Sequence, residues 1–230
     1  MRSPARPTLS WLLAVLPLLS GPIGCGLKLR TPPPGFEPLD ATNQAVPPTS
    51  TTEAHPELLN IVKGHDDTND FDWAEAQGFV HASVAEVAAA LQDANVLADR
   101  RQLTSWSSAA NTADTVADDS FTINCVTKQL SLTYVVGWRE LATQGTKSDP
   151  VVYVARSDLL KSASVLGMDV MGLLSDSIVL GVVDPTTTSF AMIRHRNSLQ
   201  SSPADAAQYV NDVYASVVAK VHGNPLPTLK

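Results

Sequence analysis

The chain has 230 residues, 16 Lys+Arg against 23 Asp+Glu, 44% hydrophobic residues and two cysteines. That length suits one domain with appendages, and the apolar content is enough for a packed core. A net charge of −7 without a Lys/Arg cluster argues against a nucleic-acid partner, and two cysteines exclude a disulfide scaffold or a Cys-rich zinc module.

Residues 1–24 read as a secretory signal. Arg2 and Arg6 precede the apolar run Trp11–Leu19, and small residues lead to Cys25. Trp11–Ile23 is too short for the roughly 20 residues of a membrane-spanning helix. Pro22-Ile23-Gly24-Cys25 resembles the lipobox of bacterial lipoproteins, although Pro22 stands where an aliphatic residue is usual. The resemblance implies a lipid anchor on Cys25 and a membrane-anchored protein of the cell envelope, in the periplasm or at the cell surface. Ordinary cleavage near Ser20–Gly24 and a free secreted protein is the alternative.

Residues 25–70 hold seven of the 16 prolines and read as a disordered, Pro-rich tether. Leu58-Leu-Asn-Ile-Val62 is its one apolar patch, able to dock on the domain. Asp66-Asp67-Thr68-Asn69-Asp70 lacks the Gly and Glu of a calcium loop and reads as a solvated acidic turn.

Residues 71–223 form the expected domain, with 224–230 as a tail. Ser83-Val-Ala-Glu86 is a capping box that opens a helix. Ser202-Pro203 with Asp205 opens a second, whose apolar stripe runs from Ala206 to Val221 and which Gly223 stops. Between them lie strands: about 102–108 with Trp106; Phe121, Ile123 and Cys125 in alternation; Leu130 to Trp138, the strongest period-2 signal; 151–156; 177–183; and 190–195. Phe79-Val80-His81 closes a first strand. Residues 158–174 favour a short helix over a strand extension.

This order, β–α–several β–α, together with Phe79–Asp93, Leu97–Trp106 and Ser177–Leu180, resembles the START/Bet v 1-like (SRPBCC) superfamily. The resemblance implies an α+β helix-grip fold, in which a curved antiparallel sheet of about six to seven strands wraps a long C-terminal helix. It also implies an internal cavity for a lipid or other hydrophobic small molecule. Members include ligand carriers and aromatase/cyclases, so a cyclase- or hydrolase-like enzyme and a ligand-free interaction module stay open beside a noncatalytic binder.

Candidate pocket residues follow. Arg100 and Arg101 could hold a carboxylate or head group at the polar end of a cavity. Trp106, Tyr134, Trp138, Phe190 and Met192 could form its wall, though inward apolar faces also simply fill cores. Arg194 and His195 are neighbours on one strand, so one of them faces in. No metal, cofactor or nucleophile motif occurs: His55, His65, His81, His195 and His222 are scattered, and Cys125 reads as a buried hydrophobe.

Overall fold

The computed structural model describes residues 27, 30, 31, 44–110, 120–146, 148–199 and 201–229. The signal segment and Cys25 lie outside them. Strands β1 (Leu59–Asp66) and β2 (Phe71–Val80) are followed by helices α1 (Val84–Leu91) and α2 (Ala94–Leu97). Then come β3 (Leu103–Ala110), β4 (Phe121–Thr127), β5 (Thr133–Thr146), β6 (Asp149–Lys161), the small hairpin β7 (Ser164–Val165) and β8 (Met168–Asp169), β9 (Met171–Asp184), β10 (Thr187–Ser198) and α3 (Pro203–Val221).

Eight strands form one antiparallel sheet in the order β1-β2-β10-β9-β6-β5-β4-β3. Helix α3 packs against β1, β2 and β10, and α1 packs against β6, β9 and α3. The main core lies between the helices and one face of the sheet. This is the helix-grip arrangement, with eight strands rather than six or seven.

The helix ends form for the reasons their sequences give. The Glu86 amide donates to Ser83 Oγ (3.3 Å) and the Ser83 amide donates to Glu86 Oε2 (2.9 Å), which satisfies two free amides at once. Ser202 Oγ accepts from the Asp205 amide (3.2 Å), Pro203 sits in the first turn, and Gly223 ends α3 at φ +68°. In β5, Tyr134, Val136 and Trp138 are buried while their neighbours are less so, as the alternation requires.

Two sequence expectations are corrected. The tether does not run unbroken to residue 70. Residues 59–66 are the edge strand β1, paired with β2 over its whole length. Leu59 and Ile61 pack against the main core, while Val62 joins Phe71, Trp73 and Leu173 on the opposite face. Further upstream, Ala45, Pro48 and Pro56 are buried, and Glu57 bonds the His81 amide (2.7 Å) and His222 Nε2 (2.9 Å). Composition hides this because the strand is held by backbone pairing to β2, which polar side chains do not prevent.

Residues 158–174 are not helical. β6 continues to Lys161, a hairpin turns at Leu166-Gly167, and β9 starts at Met171. The unpaired edges of β5 and β10 supply partners for these residues, and the helical spacing of their leucines is incidental: Leu159 is buried and Leu166 is 87% exposed. The tail is also partly fixed, since Leu226 packs on the core and Arg100 Nη1 donates to the Pro227 carbonyl (2.9 Å).

Candidate functional site

The interior face of the sheet is mostly apolar, and its charged groups gather at one end, where Arg194 and Arg196 of β10 share the inward parity. Register places Ser157 of β6 beside Asp176 of β9, and Asp176 beside Arg194 of β10. The same parity that turns Phe190 and Met192 inward turns Arg194 inward and His195 outward. Arg194 is 3% exposed, and its Nη1 lies 3.3 Å from Asp176 Oδ1. Ser157 Oγ donates to Asp176 Oδ2 at 2.8 Å.

Helix α3 closes over this row. The ring of Tyr209 covers the guanidinium, with Arg194 Cζ 3.4 Å from the ring centroid. The Tyr209 hydroxyl donates to the Leu97 carbonyl at 2.8 Å, which ties the helix to the end of α2. Burial lifts the Asp176 carboxyl above the usual carboxylate range, against the pull of Arg194. Burial alone would lower the Arg194 guanidinium, but Asp176 holds it charged. Arg194 Nε has no hydrogen-bond partner among the described residues.

A cavity of about 20 Å³ adjoins these groups, bordered by Asp99, Cys125, Tyr134, Asp176, Arg194 and Tyr209. That is room for one water. Small-molecule pockets usually run to about 300–1,000 Å³.

The expected pocket residues divide. Tyr134 borders the cavity. Trp138, Phe190 and Met192 are fully buried core instead: Trp138 packs near Phe121 (6.3 Å between centroids) and Phe190 meets Tyr214 edge-on (5.6 Å). Arg100 and Arg101 do not reach the interior. Arg100 Nη2 donates to Ser216 Oγ (2.7 Å), and Arg101 Nε and Nη2 grip the Asp212 carboxylate, the latter at 2.9 Å. Asp212 and Ser216 are four apart on α3 and so share a face, which draws both arginines to the helix. Trp106 is half-buried against the core, and its Nε1 donates to Asn95 Oδ1 (3.1 Å) beside an open polar groove of about 500 Å³.

Little here supports covalent chemistry. Burial pushes the Cys125 thiol up to about 11, far from a thiolate at neutral pH. His195 packs edge-on against Phe71 (5.1 Å) on the opposite face of the sheet, and burial with Arg156 nearby pushes it down to about 4. His81 meets Glu53 (2.9 Å), far in the fold from His195. Among the described residues no three His, Cys, Asp or Glu side chains converge as a metal site. The Asp66 loop is a self-contained turn, in which Oδ1 accepts from the Thr68 and Asn69 amides (2.9 and 3.0 Å).

No family model matches the chain, and no curated protein matches it in sequence. Solved structures of similar fold do match. A STAR-related lipid transfer protein from Xanthomonas axonopodis is 13% identical over 74% of this chain and 95% of that one, with a TM-score of 0.49. The human StarD13 lipid transfer and protein localization domain is 13% identical over 76% and 88%, with a TM-score of 0.47. The Zhui aromatase/cyclase of a Streptomyces strain is 12% identical over 66% and 92%, with a TM-score of 0.40. At such identities and TM-scores these likenesses say nothing of ligand or reaction. The strand order and the placement of α3 make the fold START/Bet v 1-like.

Proposed function

We propose that this chain is a noncatalytic, membrane-anchored binding protein. Acylated Cys25 holds a helix-grip domain that takes an apolar molecule with a polar end between the sheet and α3. The polar end meets Arg194, Asp176 and Tyr209.

One observation carries this reading: a charged pair stands in a mostly apolar interior, with Arg196 next along the same face, and the Nε–H of each guanidinium is left over among the described residues. Taking two charges out of water costs several kcal/mol per ion, and a purely structural core is better served by apolar residues of the same volume. A pair kept there, with a spare donor and a small cavity, suits recognition of a hydroxyl, carbonyl or carboxylate. The described form is closed, so a ligand enters as α3 moves outward and the cavity grows. The lipobox-like Gly24-Cys25 after the apolar run supports the anchor.

The 20 Å³ cavity favours a second reading, a ligand-free interaction module. Native mass spectrometry of the full chain, purified from membranes and then titrated with a lipid extract, separates the two. The first reading expects a bound apolar molecule that the Arg194→Met/Asp176→Leu double variant releases while circular dichroism stays unchanged. No adduct at any lipid concentration supports the second.

A further inference from the structure

One end of the sheet carries leucines where neither packing nor turn chemistry asks for them. The pairing of Val135 with Lys161 puts the β4–β5 turn and the β7–β8 hairpin at the same end, together with the chain after Ser198. Leu130 sits in the first turn, 77% exposed at φ +57°, followed by Ser131 at φ +49°. Leu166 sits at the tip of the second, 87% exposed at φ +51°, followed by Gly167 at φ +80°. Two successive left-handed residues make a turn that Asn-Gly or Asp-Gly fills best, and a bulky side chain is uncommon there. Two turns at one end share this anomaly. Leu199 lies beside them, 67% exposed, its amide bonded to the Val170 carbonyl (3.2 Å).

The N-terminal segment leads to the same place. The Leu27 amide donates to the Asp169 carbonyl and the Arg30 amide to the Gly172 carbonyl, both at 2.8 Å, so these two residues lie beside the β8–β9 junction. Arg30 Nη2 pairs with Asp70 at 3.0 Å. Leu27 is thus held next to the β7–β8 hairpin, and Cys25 precedes it by two residues, a reach of no more than about 7 Å.

We propose that this end of the sheet is a membrane-docking surface, with Leu166 and Leu130 entering the bilayer that the Cys25 lipid anchors. The proposal rests on the anchored reading above. Exposed leucines gain by partitioning into the acyl boundary, but so few of them bind weakly and need a second signal, which the acyl chains provide. Lys128 and Lys161, both exposed, precede the two leucine turns in the chain. Asp66, Asp67 and Asp70 form an acidic turn at the β1 edge of the same end, so a bilayer rich in zwitterionic lipid fits better than a strongly anionic one.

The test uses the full chain purified from membranes and reconstituted in vesicles of phosphatidylethanolamine with a minority of phosphatidylglycerol. An environment-sensitive fluorophore is attached at Leu166→Cys, at Leu130→Cys and, at the opposite end of the sheet, at Val182→Cys. The labels at 166 and 130 should blue-shift and be quenched by nitroxide lipids, whereas that at 182 should do neither. Mass spectrometry of the N-terminus is read in parallel. If Cys25 is acylated and labels 166 and 130 stay in water, the docking surface is wrong and the anchor stands. If Cys25 is unmodified, the anchor is wrong. The labels are then read on Cys25→Ser chains mixed with the same vesicles, where quenching at 166 supports the surface and its absence overturns it.

Discussion

The Arg194 guanidinium lies against the face of the Tyr209 ring, its Cζ 3.4 Å from the centroid, with the Asp176 carboxylate 3.3 Å from Nη1. At this point the sheet and the long helix meet at a charge, set within a largely apolar contact. Removing one partner leaves the other buried and unpaired. Arg194→Met and Asp176→Leu should each destabilise the fold by about 3–5 kcal/mol, while the double variant should come within about 1–4 kcal/mol of wild type on the stable side. Urea unfolding of the three variants checks this. Additive losses in the double variant would refute the coupling.

A titration signature belongs to His195 on the other face. Its folded value is about 4 against an ordinary 6.5, so between those values the unfolded chain binds the extra proton. Stability from this group is complete above pH 6.5 and falls as the pH drops toward 4, by about 3 kcal/mol in total. His195→Gln should flatten the pH 4–6.5 limb of the stability curve relative to wild type. An unchanged limb would mean that His195 titrates as freely in the fold as out of it.

Local chemistry made much of this fold legible. Ser83 with Glu86, Ser202 with Pro203, and Gly223 mark helix ends because each satisfies backbone groups within four residues. Tyr134, Val136 and Trp138 mark a strand because one face is buried. What stayed hidden depends on partners far along the chain. β1 is a strand because β2 offers it an edge, and 164–169 is a hairpin because β5 and β10 claim the residues around it. The site was half legible. Parity already set Arg194 on the face of Phe190 and Met192, but its neighbour Asp176 follows from a cross-strand register that periodicity does not give. Arg100 and Arg101 were drawn to α3 by Asp212 and Ser216, a helix-face spacing that the sequence does contain.

The thiols give a direct count. Cys125 is buried, with a thiol pushed up to about 11, so it should not react with a disulfide reagent at pH 8 until denaturant is added. An acylated Cys25 is blocked at sulfur. With Cys25 acylated as proposed, the native chain should show no fast-reacting thiol, and the unfolded chain should show one. One fast thiol in the native protein would place a free sulfur at Cys25 and remove the anchor.

The place of β1 in the fold can be tested at Gly64. This residue faces Trp73 across the strand pair, and a Cβ added there would lie 2.6 Å from the Trp73 ring. Trp73 is buried against Phe71 and Leu173, so the ring has little space to yield. Gly64→Val should then cost about 1–3 kcal/mol, as overpacking does in a filled core. A residue in a free tether would tolerate the same change within about 0.5 kcal/mol. Thermal unfolding of Gly64→Val, with Thr52→Val upstream as a control, distinguishes the two. Equal midpoints for both variants would return residues 59–66 to the tether.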